Sequence, residues 1–509
     1  MRRFGGLVAV FASPKWRAVT FILMLAFVVR FSQISWSYSN NGIDEGIMLE
    51  RSSLVASGYG LYKEIPCDQA PLAFLIGAVF DGDVVALRVL VCVLSMLALI
   101  ACMESARRTR GTTAMLAAGV LLAVDFAFLR ESRLFSLDGL ASAFLAFAIL
   151  LFILYIKKNS RAALIASGLL IGLSTSTKLL GLLGLAGVLL FLLVDIWRGK
   201  DDRRRKSLDL VIVVASSAAP LAVLMFVLGP SEMIQGMVFN QGHRVFEPFL
   251  KLSIVAFFGL NLAYVLPLVR VRALWKTGPE LRFLLILVAA ILAFLVAQPL
   301  VFFHHMAMLS PAMAILAGVF LADVFDHKKV QMNTSSPQNH VFKGIQSRRL
   351  ATSLFVIGLL VSGSLAVYGP IEQDKPAQLV YSETLSKITN SNDWVVCGDP
   401  LIAAYAGRSI PPEVVNVAYR VYPDVTSAEI ENAVLVHNVA VVVICYRLND
   451  MPGLPNFLSH NDYALIDRDY VGHGANGALD LFEKGIGQVS FYVRNDIVTQ
   501  LGLPVQAEP

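Results

Sequence analysis

The sequence predicts a polytopic α-helical membrane protein with a small C-terminal α/β domain. Apolar runs of helix length recur through the first 370 residues, and only 16% of the 509 residues are charged. Mean hydropathy is +0.66, whereas a soluble domain carries about a quarter charged residues. Beyond residue 370 the composition turns to that of a soluble domain. A run of roughly 20 apolar residues spans a bilayer, where only a helix or a closed barrel satisfies its own backbone.

In chain order, the runs fall at 18–36, 84–103, 112–129, 138–156, 162–176, 179–197, 208–228, 253–269, 283–298, 306–325 and 350–368. They predict about eleven transmembrane helices. The run at 71–80 is too short to cross and reads as interfacial. Residues 1–369 are thus expected to form the membrane region, with a first outer loop at 37–83, and residues 370–509 an extracytoplasmic domain.

Lys and Arg set the orientation. With the N-terminus inside, the inner segments hold 25 of them before residue 370, including Arg107, Arg108, Lys157, Lys158 and Arg203-Arg204-Arg205-Lys206. The outer segments hold eight: Arg51, Lys63, Arg88, Arg130, Arg133, Lys178, Arg244 and Lys251. By the positive-inside rule the N-terminus is expected in the cytoplasm and the C-terminal domain outside. The net charge of +5 then reflects cytoplasmic loops, and no nucleic-acid partner is expected. Arg2-Arg3 before an apolar patch resembles a signal peptide, read as uncleaved because 18–36 is itself an adequate anchor.

Three polar segments complete the layout. The inner loop 326–349 reads as a connector, and its Asn333-Thr334-Ser335 sequon would face the inside. In the C-terminal part, Trp394–Cys397 and Ala440–Cys445 read as buried strands and 427–438 as a helix, which suggests a small parallel or mixed sheet. The five cysteines form no metal-binding spacing. Cys397 and Cys445 end two strands on the outer side, where a bridge is chemically allowed.

The candidate chemistry lies in the outer loops. Asp44-Glu45 follows the first span, and 44–57 can form a short helix with Asp44 at its start. A carboxylate there can serve as general base or metal ligand, or simply cap the helix. Tyr62, Asp68 and Pro71 follow in the same loop. The second outer loop carries Arg130, Glu131, Arg133 and Asp138. Asp138 can act in a site or cap the next helix, and Arg133 can act in a site or anchor a helix end. Lys178 is a lone outer cation, suited to a phosphate or to snorkelling at the interface. Adjacent His304 and His305 point different ways on a helix, which makes them poor joint ligands for one metal.

In this order the groups resemble the GT-C membrane glycosyltransferases, and in particular the protein O-mannosyltransferase-like family that includes the aminoarabinose transferases. The matching segments are Asp44-Glu45, Gly60-Leu61-Tyr62, Ala70-Pro71-Leu72, Ser132-Arg133 with Asp138, Lys178, and His305 with Ser310-Pro311-Ala312. Asp393-Trp394-Val395-Val396, Asp399-Pro400 and Tyr405-Ala406-Gly407-Arg408 resemble the outer domain of prokaryotic members. Two departures stand out: Ala70 replaces the usual first proline, and Leu179-Leu180 separates Lys178 from Gly181.

The resemblance implies inverting transfer of a hexosyl or pentosyl group from a polyprenyl-phosphate donor to an acceptor hydroxyl of a protein, lipid or envelope polymer. Asp44 would be the base, with Glu45 and Asp138 orienting the acceptor or a divalent cation (Mg or Mn) held by Asp44 and Asp138. Arg133, Lys178, His304 and His305 would hold the phosphate, and Tyr62, Asp68 and Pro71 would form a substrate loop. A transporter or flippase is the main competing reading, although transporters keep their ionisable groups near the bilayer midplane. A non-catalytic scaffold leaves the carboxylates at the membrane surface unexplained.

Overall fold

Several helices in this chain begin where a polar side chain accepts a backbone N–H, as at Asp83, Asp125, Ser136 and Ser160. A computed structural model describes residues 13–36, 43–198, 203–242, 246–326, 339–372, 375–417, 424–470 and 487–506. The Arg2-Arg3 patch, the exit segment Asn40-Asn41-Gly42 and the Asn333-Thr334-Ser335 sequon lie outside them. The helices of the first half are α1 (Pro14–Phe31), α2 (Ile43–Ala56), α3 (Leu72–Val79), α4 (Val84–Arg110), α5 (Thr112–Val124), α6 (Phe126–Glu131), α7 (Leu137–Lys158), α8 (Arg161–Thr177) and α9 (Leu182–Arg198). There follow α10 (Arg203–Leu228), α11 (Pro230–Ile234), α12 (Leu252–Leu260), α13 (Val265–Val269), α14 (Val271–Thr277), α15 (Pro279–Ala297), α16 (Ser310–Asp326) and α17 (Asn339–Glu372).

Six helices among the described residues are long and apolar enough to cross a membrane: Val84–Arg110, Leu137–Lys158, Leu179–Arg198, Arg203–Leu228, Pro279–Ala297 and Arg348–Ala366. Several of the eleven expected runs are interrupted instead. The run 112–129 breaks at Asp125, whose carboxylate accepts the Phe128 N–H at 3.0 Å and starts α6. The run 253–269 is bent by 93° at Asn261. The run 306–325 opens with a 3-10 turn, Phe303–Met308, before α16. The 71–80 run is the eight-residue α3.

Lys178 separates α8 from the 3-10 turn Leu179–Gly181, with an extended backbone at φ −150° and ψ 133°. Ser136 caps α7 by accepting the Gly139 N–H at 2.9 Å. Asp138 is therefore in the first turn of α7 and not its cap, which leaves its carboxylate available for other partners. Apolar side chains of α4 to α10 and α12 to α17 form one hydrophobic cluster, in which α7 packs on α8, α8 on α10, and α5 on α16.

The C-terminal region adds α18 (Ala377–Ile388), α19 (Pro400–Ala406), α20 (Ser427–Val436), α21 (Gly453–His460) and α22 (Asn495–Leu501) around four strands. These are β1 (Val395–Cys397), β2 (Val441–Ile444), β3 (Tyr463–Tyr470) and β4 (Gln488–Arg494), in the order β1-β2-β4-β3. β1 and β2 are parallel, with Val396 opposite Val442, while β4 runs antiparallel to both β2 and β3. The sheet is mixed, and β1 and β2 are buried throughout, as fits their unbroken apolar sequence. Helix α20 starts at a Thr426/Glu429 capping box.

A second hydrophobic cluster joins Ile43, Ile47 and Phe74 of the first outer loop to Leu401, Ile402 and the sheet. The two regions thus share one core.

Cys397 and Cys445 are buried and unbridged, as are the other three cysteines. Alkylation of the denatured, non-reduced protein is expected to modify all five thiols by mass. A product with only three modified would restore the bridge.

Candidate active site

Two consecutive carboxylates at the start of α2 have different fates, because successive residues of a helix point about 100° apart. Asp44 is exposed and Glu45 is buried. Arg88, from the first turns of α4, grips Glu45 with two hydrogen bonds, Nε to Oε1 at 2.8 Å and Nη2 to Oε2 at 2.6 Å. Glu45 Oε1 also accepts the Phe135 N–H at 2.8 Å. The remaining Arg88 nitrogen donates to the carbonyls of Ile34 and Trp36 at 3.1 and 3.0 Å. The expectation that Glu45 orients an acceptor or a metal is corrected here, since both of its oxygens are committed to holding α2 against α4.

Arg133 is corrected in the same way. Its guanidinium donates to the carbonyls of Val29 and Ser32 at 2.7 Å each, so it closes the C-terminal end of α1. These two bonds favour the anchoring reading over phosphate binding.

The other charges of the outer loops converge. Lys178 Nζ lies 2.5 Å from Asp138 Oδ2, and both side chains are nearly buried. His304 Nε2 is 3.9 Å from the same oxygen. Asp138 Oδ1 is buried with no partner among the described residues. Burial pulls the His304 imidazole below its ordinary range, while Asp138 and Asp44 pull it up and Lys178 and Arg130 pull it down. All four charges are therefore within electrostatic reach of His304.

Glu131 completes the cluster. It is buried beside Arg130 at 3.9 Å, and burial pushes its carboxyl up to about 7, with Arg130 opposing and Asp138 reinforcing. His305 turns away and pairs through Nδ1 with the Gln298 side-chain nitrogen at 3.0 Å. The two imidazoles still meet edge to face with centroids 4.5 Å apart, so His305 adjoins the cluster through His304.

The substrate-loop residues form a neighbouring unit. Tyr62 donates to the Gln69 carbonyl at 2.6 Å and sits at φ 72°. Asp68 lies 3.8 Å from Arg51, and its carbonyl accepts from Gln241 at 2.6 Å. Pro71 precedes the first residue of α3. Gly236 comes so close that an added Cβ would lie 2.3 Å from the Cys67 carbonyl and 2.8 Å from the Tyr62 ring. An open cleft of about 480 Å³ between these segments is lined by Tyr62, Lys63, Cys67, Glu232, Gln235 and Asn240. It contains none of the Asp138 cluster.

Among the described residues, no group of three or more His, Cys, Asp and Glu side chains could hold a metal ion. Asp138 Oδ2 is taken by Lys178, a cation that would repel a divalent ion, so Asp44 and Asp138 fit such an ion poorly.

Sequence reasoning missed Arg88 and Glu131 as parts of the site. Arg88 carried a signal, being an outer-side cation in the first turns of a span, like Lys178. Arg130 and Glu131 were visible as charges of the second loop, but only the turn at Ser132–Ser136 brings Glu131 back towards Asp138.

Residues 70–224 match the family profile described as dolichyl-phosphate-mannose-protein mannosyltransferase. That span contains Pro71, Arg130, Glu131, Asp138 and Lys178. No curated protein matches the chain.

Among solved structures, the ArnT of Cupriavidus metallidurans in its apo state is similar at 14% identity and a TM-score of 0.61. The match covers 97% of this chain and 99% of that one. The same protein bound to undecaprenyl phosphate matches at 16% identity and 0.60, covering 93% and 97%. The archaeal oligosaccharyltransferase AglB of Archaeoglobus fulgidus, in complex with an inhibitory peptide and a dolichol-phosphate, matches at 13% identity and 0.57, covering 93% and 75%. The chain shares the fold of these structures, and residues 70–224 match the profile of the family its motifs resemble.

Arg133→Ala is expected to lower stability by about 3 kcal/mol, from two lost charge-assisted hydrogen bonds in a buried setting. Affinity for polyprenyl phosphate should stay unchanged in a binding titration. A loss of affinity at unchanged thermal stability would return Arg133 to the phosphate site.

A second expectation concerns pH. Burial pushes Glu50 up to about 8 and Asp399 up to about 7, and Glu131 shifts the same way. An acid whose folded pKa is raised binds more protons folded than unfolded, so its native form loses stability as pH rises from the unfolded value to the folded one. The Tm should fall between about pH 4.5 and 8 and level off above, and Glu50→Gln should flatten the slope. A Tm that rises across this window at constant ionic strength would contradict the assignment.

Proposed function

We propose that this protein is a membrane glycosyltransferase that moves a hexosyl or pentosyl group from polyprenyl phosphate to an acceptor hydroxyl. The acceptor belongs to a protein, lipid or envelope polymer at the outer face, with the N-terminus cytoplasmic and residues 370–509 outside. The observation that carries this reading is an exposed carboxylate, Asp44, within electrostatic reach of His304 together with two nearly buried cations, Lys178 and Arg130.

The chemistry divides along the same line. The Asp44 carboxylate takes the proton of the acceptor hydroxyl as its oxygen attacks the anomeric carbon on the face opposite the phosphate. The new C–O bond forms as the sugar–phosphate C–O bond breaks, and the electron pair leaves with polyprenyl phosphate, which inverts the anomeric carbon. Negative charge grows on that leaving group in the transition state. Lys178, Arg130 and His304 are preorganised to meet it where little water competes, and such electrostatic stabilisation is worth more there than in bulk solvent. Asp138 holds Lys178 in place before the donor arrives. The cleft beside Tyr62 and Asn240 is assigned to the acceptor side, adjoining the cluster without containing it.

Transfer from radiolabelled polyprenyl-phosphate sugars in membranes tests this. Asp44→Asn should lower turnover by about 10²- to 10⁴-fold, the range of general-base catalysis, with donor binding retained. Lys178→Ala should lower it by about 10²- to 10³-fold. Retained turnover in the Asp44 variant would remove it as the base. If folded wild-type protein transfers from no donor tested, weight moves to a transporter.

A further inference from the structure

The C-terminal α/β region is joined to α2 on the face that carries Gly46 and Glu50, two residues one turn apart. At Gly46 there is no space for a side chain, since an added Cβ would lie 2.2 Å from the Leu401 nitrogen and 2.7 Å from the Pro400 carbonyl carbon. The first turn of α19 therefore rests directly on the first turns of α2. One turn further, Glu50 accepts the Ile410 N–H at 3.2 Å.

Helix α19 is itself fixed. Asp399 caps it by accepting the Leu401 N–H at 3.0 Å, and Gln378 donates to the other Asp399 oxygen at 3.2 Å. Its last turn reaches the Arg88–Glu45 pair from the far side. The Tyr405 ring lies over the Arg88 guanidinium at 5.5 Å, and its hydroxyl donates to the Ser35 carbonyl at 3.1 Å.

We propose that α19 is a positioning element for Asp44, with Tyr405 and the Leu401 backbone seating the first turn of α2. This rests on the reading of Asp44 as general base. The first turn of a helix has no intrahelical acceptors for its N–H groups and opens before the rest. A base there keeps its direction only if something outside the helix braces it. Here the brace has three parts: Arg88 on Glu45, Leu401 against Gly46 and Ile410 on Glu50. Two of the three come from the α/β region, and Tyr405 backs the third. On this account the region sets the rate of the chemical step, and acceptor affinity is fixed elsewhere.

The test uses the full chain in lipid nanodiscs. Tyr405→Ala should lower kcat about tenfold with the donor and acceptor KM unchanged, since small misplacements of a reacting group cost rate steeply. Tyr405→Phe, which keeps the ring over Arg88, should recover most of the loss. Amide hydrogen exchange over residues 43–47 should quicken at least tenfold in Tyr405→Ala and in Gly46→Ala, with the membrane helices unchanged.

A change confined to the acceptor KM would overturn the proposal and make the region an acceptor-binding module. Unchanged exchange in the folded Tyr405→Ala protein would overturn it as well. If Asp44→Asn retains turnover, the base assignment fails by itself, and the exchange data still report whether α19 braces α2.

Discussion

The pair of Arg88 and Glu45 is the interaction on which the arrangement around α2 depends. It joins α4 to α2, and through the same two side chains it takes in the turn at Phe135, the carbonyls of Ile34 and Trp36, and the Tyr405 ring. Both side chains are fully buried. Removing two charges from water costs several kcal/mol per ion, and their attraction offsets this only with excellent geometry and every remaining donor and acceptor satisfied. Here the contact is bidentate, and the spare Arg88 nitrogen and Glu45 oxygen both find backbone partners. A pair so completed tolerates little displacement, and five segments distant in sequence take their positions from it.

The site beside it follows another logic. Lys178, Asp138, His304, Arg130 and Glu131 are gathered where the dielectric is low, and they are not all mutually neutralised. Asp138 Oδ1 is buried without a partner, and a carboxyl that burial drives up to about 7 lies next to it. Polar groups left in that state cost folding free energy. Acceptor groups in that state suit a hydroxyl or another donor, whereas Lys178 and Arg130 are the members of the cluster suited to an anion. Glu45, whose two oxygens are both engaged, belongs to the scaffold on the same criterion.

The broken helices explain how such groups reach the membrane surface. Apolar runs at 112–129 and 253–269 end early at Asp125 and Asn261, and Lys178 interrupts a third stretch with an extended backbone. Each break frees backbone groups that hydrocarbon could not satisfy, and each is enclosed by protein: Asp125 is fully buried, and Ser362 reaches the Leu260 carbonyl at 2.7 Å beside Asn261. Irregular backbone at membrane depth is tolerated under that condition.

Much of this was legible in the sequence. Runs of apolar residues specify helices because the backbone must satisfy itself in lipid, and the unbroken valine runs specify buried strands. The order of Asp44, Asp138 and Lys178 pointed to the right class of fold. The roles within the Asp44-Glu45 doublet were not legible, nor was the choice between anchor and phosphate ligand for Arg133. Adjacent residues on a helix face different surroundings, and what packs on each face comes from chain more than 40 residues away in Arg88 and more than 350 away in Leu401. Local propensity and composition thus set the elements and their apolar faces, while long-range packing alone decided which charges are sealed into the scaffold and which are left facing one another.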